Sequence, residues 1–177
     1  TGVAGVLTGI VFGICMIVLY TMSAVYHGLS PRLKGKKVMQ ILDHCSVFLL
    51  IAGTYTPITI CALAKADSVM AWIIFGVVWG VSVVGIVLNS IDIKKYMPFS
   101  MFCYIALGWC IILSLPKLMS VLPMMAIAML FCGGISYTAG AIMFGLGTKK
   151  RYMHSVFHIM VVIGSIFHGL MVLMYVL

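Results

Sequence analysis

The sequence contains no glutamate, only three aspartates, and just 8% charged residues in all. Soluble domains carry about 25%. With 64% hydrophobic residues, a water-soluble fold would expose apolar patches far beyond what monomers tolerate. Period-two alternation is also lacking, which excludes the strands of a transmembrane barrel. No C-x-x-C pair occurs among Cys15, Cys45, Cys61, Cys103, Cys110 and Cys132. All six lie in apolar runs, where a thiol packs as a small hydrophobe. No internal repeat or low-complexity tract breaks the chain.

Long apolar runs are abundant, and about 20 residues suffice to cross the hydrocarbon core. Hydropathy divides the 177 residues into six spans: Val3–His27, Val38–Ala64, Val69–Ile91, Phe99–Leu115, Leu122–Leu146 and Met153–Val176. Continuous apolar runs cross lipid as helices. The expected fold is an all-α polytopic transmembrane helical bundle in a single domain over residues 1–177. Gly53 and Pro57 are tolerated inside a membrane helix and are expected to kink the second span.

The formal net charge is +8. Without an aromatic-basic reading surface this does not point to nucleic acid. The basic residues alternate between loops instead. The first loop has Arg32, Lys34, Lys36 and Lys37, the third Lys94 and Lys95 beside Asp92, and the fifth Lys149, Lys150 and Arg151. The second has Lys65 against Asp67, and the fourth only Lys117. Nine basic residues in odd loops against two in even loops make the odd loops cytoplasmic. Both visible termini are then expected outside. The chain starts at Thr1 within apolar sequence and shows no charged region of a cleavable signal. A preceding span is therefore expected to be missing, so that six spans are visible of seven. That span would put the true N-terminus in the cytoplasm.

Ionisable groups within spans are functional candidates by default. Asp43 is the only acid inside a span, and all five histidines lie in spans or at their ends. His27 ends the first span, Asp43 begins the second, and His154 and His158 begin the sixth. All four fall within about two helical turns of a cytoplasmic loop. His154 and His158 are i, i+4 and share a helix face, the pair geometry of helical zinc sites. Together with His27 they supply three nitrogens, the pattern of a zinc ion that keeps a water in its fourth position. Asp43 fits either as a fourth ligand or as a hydrogen-bond partner of that water. The second is favoured because metal sites need oriented outer partners, and one carboxylate offsets part of the ion's charge in low dielectric. Ser23 lies one turn inward of His27. His44 is turned about 100° from Asp43 and reads as interfacial; His168, about 15 Å deeper than His158, reads as a packing or hydrogen-bonding residue.

Three blocks carry a resemblance. They are S-A-V-Y-H (Ser23 to His27), D-H-C-S-V-F-L-L-I-A-G-T-Y-T-P (Asp43 to Pro57), and H-S-V-F-H followed by V-V-I-G-S-I-F-H, ending at His168. In order and spacing they resemble the hemolysin III family, the bacterial branch of the progestin and adipoQ receptor family. The resemblance implies a seven-helix fold with its N-terminus inside, in a bacterial plasma membrane. It implies zinc on His27, His154 and His158, with Ser23 and Asp43 near the metal water. The similar alkaline ceramidases hydrolyse a lipid amide with the same pattern.

Three functions fit these residues. The first is an intramembrane zinc hydrolase acting on a lipid amide or ester. Here Asp43 exchanges the proton and Ser23 helps bind the developing oxyanion. The second is a non-catalytic membrane-homeostasis sensor or regulator with structural zinc. The third is a pore-forming cytolysin, but the deep halves of the spans lack a continuous polar stripe. A transporter would carry its charges at the midplane, not at one face. Membrane lipid is the expected partner in each case.

Overall fold

The computed structural model of the chain describes residues 2–147 and 152–177. Lys149, Lys150 and Arg151, the basic residues assigned to the fifth loop, lie outside the described residues. Among the described residues every regular element is helical and no strand occurs. Lipid offers backbone groups no partners, so each segment must satisfy its own. The long helices are α1 (Val3–Gly28), α2 (Lys36–Pro57), α3 (Ser68–Trp109), α4 (Met124–Gly147) and α5 (Met153–Met171). With their helical continuations they make five stretches long and apolar enough to cross a membrane. Large side chains such as Val3, Ile17, Ile91, Leu113 and Leu173 stand exposed on their outer faces, as a lipid-facing surface requires.

The sequence predicts separate third and fourth spans. The structure joins them in one stretch, Ser68–Met119, of 52 residues. A straight helix of that length would run about 78 Å, against a hydrocarbon core of about 30 Å. The stretch is broken at Asp92, whose backbone is extended (φ −153°, ψ 96°). One Asp92 carboxylate oxygen accepts the N–H groups of Lys94 at 3.0 Å and Lys95 at 3.2 Å. It thereby caps the second arm.

The arms, 68–91 and 93–109, then fold back on each other. Ser100 donates to Asn89 Oδ1 at 2.7 Å. At one level of α2, Tyr104 Oη donates to the His44 carbonyl at 2.7 Å and Cys45 Sγ faces the Ile86 carbonyl at 3.7 Å. Some three turns along α2, Trp79 Nε1 donates to Thr56 Oγ1 at 3.1 Å and Tyr55 Oη to the Leu107 carbonyl at 2.7 Å. The arms are thus antiparallel. The predicted seven-residue separation shrinks to one extended residue, because a capping carboxylate is all that the break needs.

Helix α2 is the centre of the bundle. Two-thirds of its most apolar window (67%) is buried, and no other stretch exceeds 33%. Helix α1 packs on one side of it, α3 on another, and α4 pairs with α5. Gly53 permits the α1 approach: a Cβ there would lie 2.7 Å from Cys15 Cβ. Small residues let membrane helices close to this distance. The predicted disturbance at Pro57 takes the form of a π-helical segment, Ile58–Leu63, which absorbs the backbone bond a proline cannot make. The cysteines are free; Cys15, Cys45, Cys61 and Cys103 are buried, while Cys132 is exposed.

Side-chain contacts sort the connections into two ends. Asp67 lies 3.7 Å from Lys117, joining the second and fourth predicted loops. At the opposite end, His27 and His154 bring the first loop beside the start of α5.

Candidate metal centre

The last turn of α1 ends in an apolar-to-basic boundary, and His27 is its final imidazole. Its position is held from the next helix. Lys36, the first residue of α2, donates from Nζ to the carbonyls of Tyr26 and, at 2.9 Å, Leu29. The same ammonium lies 4.4 Å from the Tyr26 ring centroid. A cation is well placed on the free carbonyls of a helix C-terminus. On α5, His154 and His158 stack one turn apart, as their spacing predicts. Phe144 and Phe157 flank His154, with ring centroids 5.9 and 5.7 Å away.

The three predicted imidazoles come together. His154 Nε2 is 3.3 Å from His27 Nε2 and 3.1 Å from His158 Nε2. All three ligand nitrogens lie within 4.8 Å of one another. Hydrogen bonds alone satisfy this arrangement poorly. Each Nε2 carries either a proton or a lone pair. His154 Nε2 therefore donates to one neighbour or offers one lone pair to both. A cation at the centre takes three lone pairs at once. Tetrahedral ligands at zinc-like distances sit about 3.3 Å apart, the separation seen on the two short edges. These three residues could hold a metal ion.

The cluster opens onto a cavity of about 360 Å³ between the helices. Ser23, Asp43 and His44 line it alongside the three imidazoles. Most of the remaining wall is apolar, including Leu19, Leu50, Ile58 and Val161. The Asp43 side chain is 14% exposed, and His44 Nδ1 lies 3.8 Å from its Oδ2. No hydrogen bond joins Ser23 or Asp43 directly to the three imidazoles among the described residues. His44 faces the cavity wall rather than standing apart: its Nδ1 lies 2.8 Å from the Gln40 carbonyl and its ring 6.1 Å from Phe144. His168 is 7% exposed and its Nε2 lies 3.1 Å from the Leu130 carbonyl, in keeping with the hydrogen-bonding role expected of it.

Sequence reasoning did not find Lys36, Phe144 or Phe157. It also did not find a hydroxyl cluster deeper in the cavity, where Tyr20 Oη donates to Ser165 Oγ at 2.7 Å and Tyr137 Oη meets the same oxygen at 2.9 Å. A signal existed for the last: Tyr20 precedes His27 by seven residues, and Ser165 follows His158 by seven. That interval keeps each pair on one helix face.

Residues 3–169 match the family described as Haemolysin-III related. Hemolysin-3 of Bacillus cereus is 35% identical over 167 residues, covering 94% of this chain and 74% of that protein. The Hemolysin-3 homolog of Bacillus subtilis (strain 168) is 32% identical over 155 residues, covering 88% and 70%. No solved structure matches. A match over nearly the whole helical bundle, including the helices that carry His27, His154 and His158, shows that this chain belongs to the haemolysin III family.

Proposed function

We propose that the chain is an integral membrane protein that holds zinc between His27, His154 and His158 near the cytoplasmic face, and hydrolyses a lipid amide or ester there. The carrying observation is the meeting of three Nε2 atoms, 3.1 and 3.3 Å apart on two edges, at a cavity whose wall is mainly apolar. On this reading the two arms of α3 cross the membrane separately, which gives six crossings with both visible termini outside. The basic first and third loops support that orientation.

Zinc supplies Lewis acidity and a water whose pKa falls to about 7. The chain's own residues do the rest. The apolar wall receives the acyl chain and excludes bulk water. Asp43 Oδ takes the proton of the attacking water and returns it to the leaving amine or alcohol. Ser23 Oγ donates to the oxygen on which charge develops.

The test is release of free fatty acid from an N-acyl lipid by the purified full chain in liposomes. Wild type is expected to turn over. Asp43→Asn keeps its metal and slows by about 100-fold or more. The double variant His154→Ala/His158→Ala releases nothing. Equal turnover by wild type and the double variant would overturn the reading. A wild type that holds zinc but cleaves no amide or ester leaves the second reading, a non-catalytic regulator with a structural ion. Among the described residues no hydrogen bond ties Asp43 to the three imidazoles, which favours that alternative.

A further inference from the structure

The α1–α5 seam carries two polar layers. The upper holds His27 and His158. One heptad deeper, about 10.5 Å along each helix, lie Tyr20 and Ser165 on the same faces. Tyr137 reaches this lower layer from α4, and Gly164 makes room for it: a Cβ there would lie 2.7 Å from the Tyr137 ring. Tyr20 and Tyr137 both line the cavity that opens at the histidines.

The lower layer is not internally complete. Three hydroxyls carry three protons, but only two hydrogen bonds join them. One proton is left without an acceptor in the trio. One turn further in, the His168 ring lies 5.2 Å from the Tyr137 ring. Its Nε2 is engaged with the Leu130 carbonyl, and its buried Nδ1 has no hydrogen-bond partner among the described residues. Buried polar groups are normally paired, so exceptions call for an explanation. The neighbouring Thr138 shows the ordinary case: it donates to the Gly134 carbonyl at 2.8 Å and accepts from Trp109 at 3.0 Å. A spare donor and, one turn deeper, an idle acceptor match a group that is both acceptor and donor. A hydroxyl is such a group.

We propose that the Tyr20–Ser165–Tyr137 layer is a second polar subsite of the cavity, which takes a hydroxyl carried partway along the acyl chain of a bound lipid. The proposal rests on the proposed function for what sits at the cavity mouth, and adds the class of tail. The lipid's polar linkage lies at the histidines, and its tail hydroxyl lies a heptad's rise deeper. There it accepts the spare proton of the trio and points its own toward the imidazole of His168. A plain chain leaves the layer unsatisfied, and a hydroxyl next to the head group falls short of it.

The experiment measures binding of stearate, α-hydroxystearate and a mid-chain hydroxystearate to the purified full chain in detergent, with metal content recorded for each sample. Wild type is expected to bind the mid-chain hydroxy acid about three- to tenfold tighter than stearate, the worth of one net hydrogen bond. It should show no such preference for the α-hydroxy acid. The ratio should collapse toward one in Ser165→Ala and in Tyr137→Phe; the second variant keeps the ring and so the packing. Equal affinity of wild type for all three acids would overturn the proposal, as would a preference that survives both variants or no binding at all. A chain that lacks metal yet keeps the mid-chain preference would remove the metal reading and leave the subsite standing.

Discussion

Two polar clusters in this bundle differ in how their groups find partners. Around Tyr55, every polar atom has a place. The Tyr55 hydroxyl donates to the Leu107 carbonyl at 2.7 Å and accepts the Ile111 N–H at 3.0 Å. In a regular α-helix those two backbone groups would bond each other. The hydroxyl is inserted between them, just where α3 gives way to the 3-10 segment Cys110–Ser114, one of the recognised causes of helix distortion. The three imidazoles at the other cluster are exposed (His27) or half-buried, and among the described residues their Nε2 atoms have only each other, an arrangement that hydrogen bonds between them satisfy poorly. A buried polar group with a full set of protein partners is architecture. Groups that converge without such a set define a place for something else.

The contrast predicts a double dissociation. The largest effect is expected from His154→Ala/His158→Ala: metal, measured by elemental analysis, falls from one ion per chain to near none. Thermal stability then falls only as far as metal-free wild type. Tyr55→Phe should do the reverse. It strands the Leu107 carbonyl and the Ile111 N–H in the bundle, at about 1–3 kcal/mol. The melting temperature in detergent should drop by several degrees with metal content intact. Loss of metal in Tyr55→Phe at temperatures where it remains folded would erase the distinction between the two clusters.

A smaller effect sharpens the comparison from the site's side. Lys36→Met removes the ammonium that ties the Tyr26 and Leu29 carbonyls. Losing about 1 kcal/mol of positioning weakens metal binding roughly fivefold. Lys36→Arg should restore most of it, because its guanidinium reaches the same carbonyls. Competition with a chromogenic chelator reads the difference. The helix contact bears on the comparison least, because it leaves metal content unchanged in the folded protein: Gly53→Ala presses on Cys15 and lowers stability by about 1–3 kcal/mol if α1 cannot shift. It costs less when paired with Cys15→Gly, which removes both the Cβ and the Sγ that the new methyl meets.

How far the sequence could be read follows the same division. The histidines stood out because ionisable groups are rare in apolar spans, and because the i, i+4 pair and the shared depth of His27 are periodic signals. The spans stood out for their length. The hairpin within α3 was only half visible: two apolar runs were found, but residues 92–98 read as a loop, since Lys94 and Lys95 look like loop residues until the Asp92 cap is seen. The approach of Asp67 to Lys117 spans fifty residues, which a count of charges loop by loop does not encode. Lys36, counted only as a topogenic charge, turned out to hold a helix end. Tyr20, Ser165 and Tyr137 drew no attention because hydroxyls are common in membrane helices. Their meaning depends on three helices meeting, which periodicity along one helix does not encode.

X-ray absorption at the zinc edge, on the full chain purified without chelator, tests the central claim most directly. Three imidazole nitrogens at about 2.0–2.1 Å, lost in His154→Ala/His158→Ala, is the predicted result. Sulfur neighbours around the metal, an unchanged spectrum in the double variant, or a wild type without bound zinc would contradict it.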